Sequence, residues 1–178
     1  MSEFQLKLII LLKNLNNIIK IIPAKLQLRI YMKLDLEKKT ILVVEDSDLI
    51  RKEVRQIFES FGLKVIEASN GVEALKVIEE EKSKLNSDLA AISSDINMPK
   101  LDGIKLLEIV RSDSSFSNIR FILLTANKEE LLKVAAQCMR ADGFFIKPLT
   151  KELVEKELKR LFVEKSTDRL DALLKKSI

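Results

Sequence analysis

Acidic, hydroxyl and lysine residues stand at the ends of four aliphatic stretches, where the strands of a sheet would end. Glu45 and Asp46 follow the first stretch, Asp95 closes the third, Thr125 closes the fourth and Lys147 follows the fifth. In an open parallel sheet the carboxyl ends of the strands share one edge, and ligands bind beyond it. Three carboxylates held together there would raise one another's pKa unless a cation neutralised them. Lys147 supplies one positive charge, and a hard oxygen site with few protein ligands predicts Mg²⁺ for the remainder.

The stretches that position these residues alternate with segments of helical period from Thr40 onward. Five strands, each followed by a helix, predict an α/β fold with a parallel sheet covered by helices on both faces. The apolar part of the third strand is predicted over 89–92, and the strand is predicted to run through Ser93 and Ser94 into Asp95, although both serines are polar where an apolar strand end is typical. The predicted strands are 41–44, 64–68, 89–92, 121–124 and 144–146. The predicted helices are 49–61, 71–84, 103–111, 131–139 and 151–162.

Composition bounds the class of protein. The chain has 178 residues, enough for one domain with some excess, and its 47% hydrophobic and 33% charged residues predict a folded protein with a real core. It contains no His, which excludes Ser-His-Asp and Cys-His nucleophile systems and every zinc site that uses His. The single cysteine, Cys138, cannot form an internal disulfide, so a reduced, cytoplasmic compartment is expected.

The formal net charge of +4 is concentrated at one end of the chain. Residues 1–39 hold eight Lys and Arg against three Asp and Glu, a surplus of +5 that leaves −1 for residues 40–178. The basic balance is therefore a property of the first segment alone. No direct nucleic-acid binding is expected, and no DNA-binding output domain is expected after the fifth predicted helix.

Residues 1–37 are predicted to be a basic extension of biased composition. In residues 1–31, 21 positions are Ile, Leu, Asn or Lys, and the longest apolar run of five residues is far shorter than the roughly 20 residues of a membrane-spanning helix. The pattern predicts a basic amphipathic helix over 4–22 that ends at Pro23. Three interpretations stay open: a helix that contacts a membrane surface or a partner, a helix that packs on the rest of the protein, or upstream sequence translated from a wrong start, with Met32 as the first residue.

Four motifs in this arrangement resemble the receiver domains of two-component response regulators. They stand in the expected order at the expected strand ends, and the resemblance covers residues 38–165. It implies a flavodoxin-like sheet of order 2-1-3-4-5 in a stand-alone receiver similar to the chemotaxis regulators, with residues 166–178 as a C-terminal helical tail. The motifs are Val44-Glu45-Asp46-Ser47, Asp95-Ile96-Asn97-Met98-Pro99-Lys100-Leu101-Asp102-Gly103, Leu124-Thr125-Ala126 and Phe144-Phe145-Ile146-Lys147-Pro148.

The resemblance implies roles for single residues at the edge of the sheet. Asp95 would be the phosphoacceptor, forming an acyl phosphate. Glu45 and Asp46 would hold Mg²⁺ together with Asp95 and the backbone carbonyl of Asn97. Lys147 would offset charge on the phosphoryl oxygens during the transfer.

Thr125 and Phe144 would then carry the signal. The hydroxyl of Thr125 would hydrogen-bond the new phosphoryl group, and Phe144 would rotate into the vacated space. This change would alter the face formed by the fourth helix, fifth strand and fifth helix, where a downstream protein is expected to bind. Alternative interpretations are that Thr125 satisfies a strand-end backbone group and that Phe144 is a core aromatic. Asn97 and Asn127 match positions that tune hydrolysis of the acyl phosphate in this family.

The absence of His also constrains the phosphodonor. The chain cannot supply a phosphohistidine, so the donor would be a sensor histidine kinase, a histidine phosphotransfer protein or a small molecule such as acetyl phosphate. The chain would catalyse only its own phosphorylation and dephosphorylation, and it is not otherwise expected to be an enzyme.

Two other functions compete with this one. Asp46-Ser47-Asp48 resembles the D-x-D motif of haloacid-dehalogenase-type phosphatases, where Asp46 would be the nucleophile and Asp48 the general acid. That family needs a further acidic pair after a later strand, and it leaves the motif that begins at Asp95 unexplained. The second alternative is a degenerate receiver that acts only as a protein-binding module, against which the intact acceptor and acidic pair argue.

Overall fold

The computed structural model describes residues 36–84, 88–129 and 140–163, and within them a five-stranded sheet. Its strands are β1 (Thr40–Val44), β2 (Lys64–Ala68), β3 (Leu89–Asp95), β4 (Arg120–Thr125) and β5 (Gly143–Ile146). All neighbouring strands are parallel, and their order across the sheet is β2-β1-β3-β4-β5. The predicted flavodoxin-like α/β sheet is confirmed.

The described helices follow the strands at short distances and begin at capping side chains. They are α1 (Asp48–Glu59), α2 (Gly71–Ser83), α3 (Gly103–Ser112) and α4 (Lys151–Leu158), with a 3-10 turn at Ser114–Phe116. Because the first N–H groups of a helix lack partners within it, a side-chain oxygen just before the helix stabilises its start. Such caps are Ser47, Asn70, Asp102 and Thr150. No helix in the described ranges combines the length and apolar character needed to cross a membrane.

The sheet is buried between two layers of apolar side chains. All five residues of β1 are buried, and because side chains alternate along a strand, they serve both layers in turn. Ile41 and Val43 pack with residues of α1 and α4, whereas Leu42 and Val44 pack with residues of α2 and α3. The burial of a strand on both faces explains the uninterrupted aliphatic run in its sequence.

The third strand extends past its apolar part at 89–92, as the prediction that it runs into Asp95 requires. β3 continues through Ser93 and Ser94 to Asp95, and both serines are fully buried. The two serines pair with Val43 and Val44 of β1 on one side and with β4 on the other, so the backbone ladder extends the strand despite their polarity. The Ser94 hydroxyl donates a hydrogen bond to the Asp95 carbonyl at 2.9 Å.

The end of the last helix also differs from the prediction over 151–162. The α-helical geometry ends at Leu158 and continues as a wider π-helical turn over Lys159–Val163. This turn buries Leu161 and Phe162 against the core layer on the α1 side. The predicted helix 131–139 with Cys138, the extension up to residue 35 and the tail 166–178 lie outside the described residues.

The start of α3 lies unusually close to the end of β3. A methyl group at Gly103 would overlap the carbonyl oxygen of Asp95 and approach the Ser94 hydroxyl. Gly103 also donates its N–H to the carbonyl of Ile96 at 3.0 Å. Only glycine allows this approach, which explains why Asp102-Gly103 begins the helix and fixes the loop after Asp95.

Candidate functional site

Three carboxylates from two neighbouring strands converge at the carboxyl edge of the sheet. Glu45 and Asp46 follow β1, and Asp95 is the last residue of β3, which pairs with β1. One carboxylate oxygen from each of the three residues lies within 4.8 Å of the others. Glu45 and Asp95 are buried, whereas Asp46 is exposed, so the cluster is accessible from solvent.

The ammonium of Lys147 contacts two of these carboxylates. Its Nζ lies 2.6 Å from Oε2 of Glu45 and 3.0 Å from Oδ1 of Asp95. The backbone N–H of Lys147 donates to the carbonyl of Thr125 at 2.8 Å, which ties the segment after β5 to the end of β4. The Lys147–Pro148 peptide bond is cis. Four of the five residues predicted at this edge, Glu45, Asp46, Asp95 and Lys147, therefore share one small site.

At this site, burial of the carboxyl groups and the positive charge of Lys147 shift the carboxyl pKa values in opposite directions. Burial raises the pKa of Asp95 above its usual value, although the hydrogen bond and charge of Lys147 act in the opposite direction. The pKa of Glu45 is raised for the same reason, with the negative charge of Asp95 adding to the effect. Burial alone would lower the pKa of Lys147, but its bonds to Glu45 and Asp95 outweigh burial and raise that pKa. Lys147 is therefore protonated and serves as a counterion for Glu45 and Asp95, but its single charge does not fully offset their burial.

The composition of the cluster fits a hard divalent cation. Three carboxylates face one ammonium, so two formal negative charges remain when all four groups are ionised. The donors are all oxygen, and the exposure of Asp46 leaves room for water ligands, as Mg²⁺ requires. Asn97, whose carbonyl was predicted as a further ligand, is exposed in the loop after β3, and its ligand role stays a prediction.

The loop from β1 to α1 is held at several points. The N–H of Glu45 donates to the carbonyl of Ala68 at 3.1 Å, and the N–H of Ser47 donates to Oε1 of Glu45 at 3.3 Å. The guanidinium of Arg51 donates to the carbonyl of Glu45 at 2.7 Å. Sequence reasoning missed Arg51. Its position four residues after the cap Ser47, and so one turn into α1, was the available signal, because such a side chain can reach back toward the preceding loop.

The predicted switch residues, Thr125 and Phe144, lie on β4 and β5 and are engaged in other contacts. Thr125 is buried at the end of β4, and its hydroxyl accepts from the Asn127 N–H at 3.0 Å and donates to the Asn127 carbonyl at 3.3 Å. Phe144 is half-buried in β5 and packs against the α2 and α3 side of the core. The structure thus places Thr125 in a local turn and Phe144 at the margin of the core, and their switch roles stay predictions.

The geometry of Asp48 does not match the phosphatase alternative. That alternative needs Asp46 as nucleophile and Asp48 as general acid at the same site. Asp48 is exposed and forms an ion pair with Arg51, and it is not part of the carboxylate cluster. The second carboxylate of the cluster comes instead from Asp95, which the phosphatase pattern leaves without a role.

Known proteins resemble this chain in sequence and in fold. The family profile described as the response regulator receiver domain matches residues 41–159. Chemotaxis protein CheY1 of Helicobacter pylori is 32% identical over 119 residues, which cover 66% of this chain and 92% of CheY1.

Solved structures of other proteins also superpose on this chain. A response regulator receiver domain protein from Clostridium thermocellum superposes with a TM-score of 0.61 at 22% identity, and the match covers 72% of this chain and 98% of that protein. CheY in the CheX-CheY-BeF3-Mg²⁺ complex from Borrelia burgdorferi superposes with a TM-score of 0.58 at 32% identity, covering 69% of this chain and 88% of the other. The first match, below 25% identity, bears on the fold alone, and the second shows similarity in both fold and overall sequence.

Proposed function

This chain belongs to the response regulator receiver domain family, and on that basis we propose that Asp95 accepts a phosphoryl group and that the protein signals through the resulting conformational change. The observation that carries the proposal is the position of Asp95. It ends β3 with its carboxylate 3.0 Å from the Lys147 ammonium and close to the carboxylates of Glu45 and Asp46. One nucleophilic carboxylate, one cation and one acidic pair are the groups that phosphoryl transfer to an aspartate needs.

In the proposed reaction a carboxylate oxygen of Asp95 forms a bond to phosphorus. The bond from phosphorus to the donor's nitrogen or oxygen breaks, and the electron pair remains on the donor. Lys147 already contacts Asp95, so its ammonium is positioned to offset negative charge on the transferred oxygens. The N–H of Ile96 donates to Oδ1 of Asp95 at 2.9 Å and restricts the orientation of the nucleophile.

Glu45, Asp46, Asp95 and the carbonyl of Asn97 are the proposed ligands of Mg²⁺. When bound, the ion supplies positive charge that stabilises the phosphoryl oxygens and relieves the repulsion among the carboxylates. The acidic composition of the cluster supports this assignment, as does a family relative whose solved complex contains Mg²⁺. Glu45 is already occupied by Lys147, so its share in ligation depends on how far that ion pair opens.

The proposed switch begins at Thr125. Its hydroxyl bonds to the backbone of Asn127 and would have to leave that turn to reach a phosphoryl group on Asp95. Phe144 packs at the edge of the core beside β4, where it would fill the vacated space. Added negative charge would thereby favour a second packing of the face formed by β5 and its flanking helices, where we expect a downstream protein to bind.

The partners follow from the chemistry of the donor. The chain has no His, so we propose that a sensor histidine kinase or a histidine phosphotransfer protein donates the phosphoryl group, with acetyl phosphate as a small-molecule substitute. We propose residues 38–165 as the receiver, a cytoplasmic location, and no reaction on any substrate other than its own acyl phosphate. The segments 1–37 and 166–178 are proposed to be an N-terminal extension and a helical tail.

Mapping the modified residue tests the proposal against both alternatives. The protein would be incubated with acetyl phosphate and Mg²⁺, and tandem mass spectrometry would locate the phosphoryl group. We expect modification of Asp95 that disappears in Asp95→Asn and persists in Asp48→Asn. Modification of Asp46 with rapid turnover of phosphate monoesters would favour the phosphatase. A folded protein that no donor modifies would favour the binding module.

A further inference from the structure

Arg51 bridges the candidate metal site and the sheet behind it. Its side chain is only 16% exposed, although it carries a full charge. One guanidinium nitrogen donates to the carbonyl of Glu45 at 2.7 Å, another pairs with Asp48, and Nε lies 3.4 Å from a carboxylate oxygen of Glu67 in β2. Two of these contacts balance charge, whereas the contact with Glu45 goes to backbone.

The bond to the Glu45 carbonyl acts on Asp46. The carbonyl of one residue and the N–H of the next belong to one planar peptide group. Arg51 therefore fixes the plane from which Asp46 projects, while the bond from the Glu45 N–H to Ala68 fixes the preceding plane. The Asp46 side chain itself is exposed. The backbone that Arg51 holds thus orients the bond from Cα to Cβ through which the Asp46 carboxylate is attached.

We infer that Arg51 is a positioning residue for the metal ligands Glu45 and Asp46. This inference rests on the proposed function, because it assumes that the cluster binds Mg²⁺. Groups that orient metal ligands without touching the metal contribute substantially to affinity, since a ligand that must first be ordered binds more weakly. Arg51 would supply that order through the main chain.

A purely electrostatic role for Arg51 predicts the opposite effect. A guanidinium near a cation site repels the cation, so the loss of its charge would strengthen Mg²⁺ binding. The loss of the hydrogen bond from Arg51 to the Glu45 carbonyl would instead weaken Mg²⁺ binding. The sign of the change in affinity therefore separates the two roles.

Arg55 provides a matched control on the same helix. It also carries a guanidinium, it also bonds to Glu67, at 2.7 Å, and it lies one turn further along α1. Its side chain is 45% exposed, and its other bond goes to the side chain of Glu59. Substitution of Arg55 removes one guanidinium charge and one contact with Glu67, as substitution of Arg51 does. It leaves the hydrogen bond to the Glu45 carbonyl in place.

The test compares Mg²⁺ affinity of the full chain, Arg51→Met and Arg55→Met by calorimetry without any phosphodonor. Methionine keeps the length and apolar character of the buried stem. We expect Arg51→Met to bind Mg²⁺ about tenfold more weakly than the parent protein, and Arg55→Met to bind it equally or slightly more tightly. Circular dichroism of the metal-free variants would establish that they are folded. If Arg51→Met fails to fold, Arg51→Gln, which is two atoms too short to reach the Glu45 carbonyl, takes its place.

Several results would overturn the inference. A folded Arg51 variant with unchanged or tighter Mg²⁺ binding would contradict it and leave the proposed function intact. An equal loss of affinity in Arg55→Met would assign the effect to α1 as a whole, and would also contradict it. A parent protein that binds no Mg²⁺ would contradict the assumed metal site, and the inference with it.

Discussion

The Lys147 ammonium lies 2.6 Å from a carboxylate oxygen of Glu45, although 102 positions separate the two residues in the sequence. This ion pair joins the segment after β5 to the loop after β1 across the intervening strands. Glu45 is 1% exposed at its side chain and Lys147 is 12% exposed. The pair is therefore largely removed from water, and Lys147 acts as an internal counterion at the site where a metal ion is proposed to bind.

Mg²⁺ is expected to stabilise the folded protein. A ligand that binds only the folded state raises its stability by mass action, which amounts to about 2.7 kcal/mol at a ligand concentration of 100 times Kd. Thermal unfolding with and without Mg²⁺ measures this effect. We expect Asp46→Asn to lose most of it and Asp48→Asn to retain it, because only Asp46 belongs to the cluster. An equal response of both variants would argue against the site.

Asp95→Asn is expected to flatten the pH dependence of stability in the absence of metal. Burial raises the pKa of Asp95 and of Glu45, so the folded state binds protons more readily than the unfolded state. Preferential proton binding by the folded state stabilises it. This contribution to the free energy of unfolding is fully present below the usual carboxyl pKa and is lost as pH rises through the raised pKa. The variant removes one of the two contributions and should gain stability relative to the parent as pH rises from 4 to 7 (roughly the range over which carboxyls titrate).

Denaturant unfolding at several pH values measures this difference. Asp88→Asn, which changes an exposed carboxylate at the opposite end of β3, controls for net charge. A parent protein whose stability increases with pH more steeply than that of Asp95→Asn would mean that the charge of Lys147 outweighs burial at Asp95.

Gly103→Ala is expected to disturb both the fold and the site. The added methyl group would overlap the Asp95 carbonyl, and overpacking of this kind typically costs about 1–3 kcal/mol. The position of Asp95 would shift with its backbone, so Mg²⁺ affinity should fall as well. Gly62→Ala is the control, since Gly62 has a φ of +92° but no close neighbour. It should lower stability by about 1–2 kcal/mol and leave Mg²⁺ affinity unchanged.

Ser93→Ala is expected to stabilise the protein by about 1 kcal/mol, because a buried hydroxyl without a hydrogen bond is costly. Among the buried side-chain polar atoms in the described ranges, only Oγ of Ser93 lacks a partner. Ser94→Ala should instead be neutral or destabilising, since that hydroxyl donates to Asp95. Chemical denaturation compares the two variants, and a destabilised Ser93→Ala would show that its hydroxyl is satisfied in solution.

The sequence predicted the parts of the site that lie in strict register with the strands. Aliphatic runs mark where β1, β4 and β5 end, and Asp95 follows the run of β3 after two serines. Parallel pairing brings those ends to one edge, so the meeting of Glu45, Asp95 and Lys147 followed from their positions. A helix was likewise predicted from residue 103, and Asp102 caps it by accepting from the Lys105 N–H at 2.8 Å.

Contacts that depend on long side chains or on competing local preferences were not predictable. The bond from Arg51 to the Glu45 carbonyl depends on a side-chain conformation that ion pairs with Asp48 and Glu67 also hold. The polarity of Ser93 taken alone favours an earlier end of β3, and pairing with both neighbouring strands overrides that local preference. In both cases the outcome is decided by tertiary context that local sequence does not contain.

The most direct test of the central claim is the intact mass of the protein after incubation with acetyl phosphate. With Mg²⁺ present, we expect the mass of one phosphoryl group to be added to the parent protein and to Asp48→Asn, and none to Asp95→Asn. Removal of Mg²⁺ with a chelator should abolish the addition to the parent protein. An addition that persists in folded Asp95→Asn, or a folded parent protein that remains unmodified with Mg²⁺ and donor in excess, would contradict the assignment of Asp95 as the phosphoacceptor.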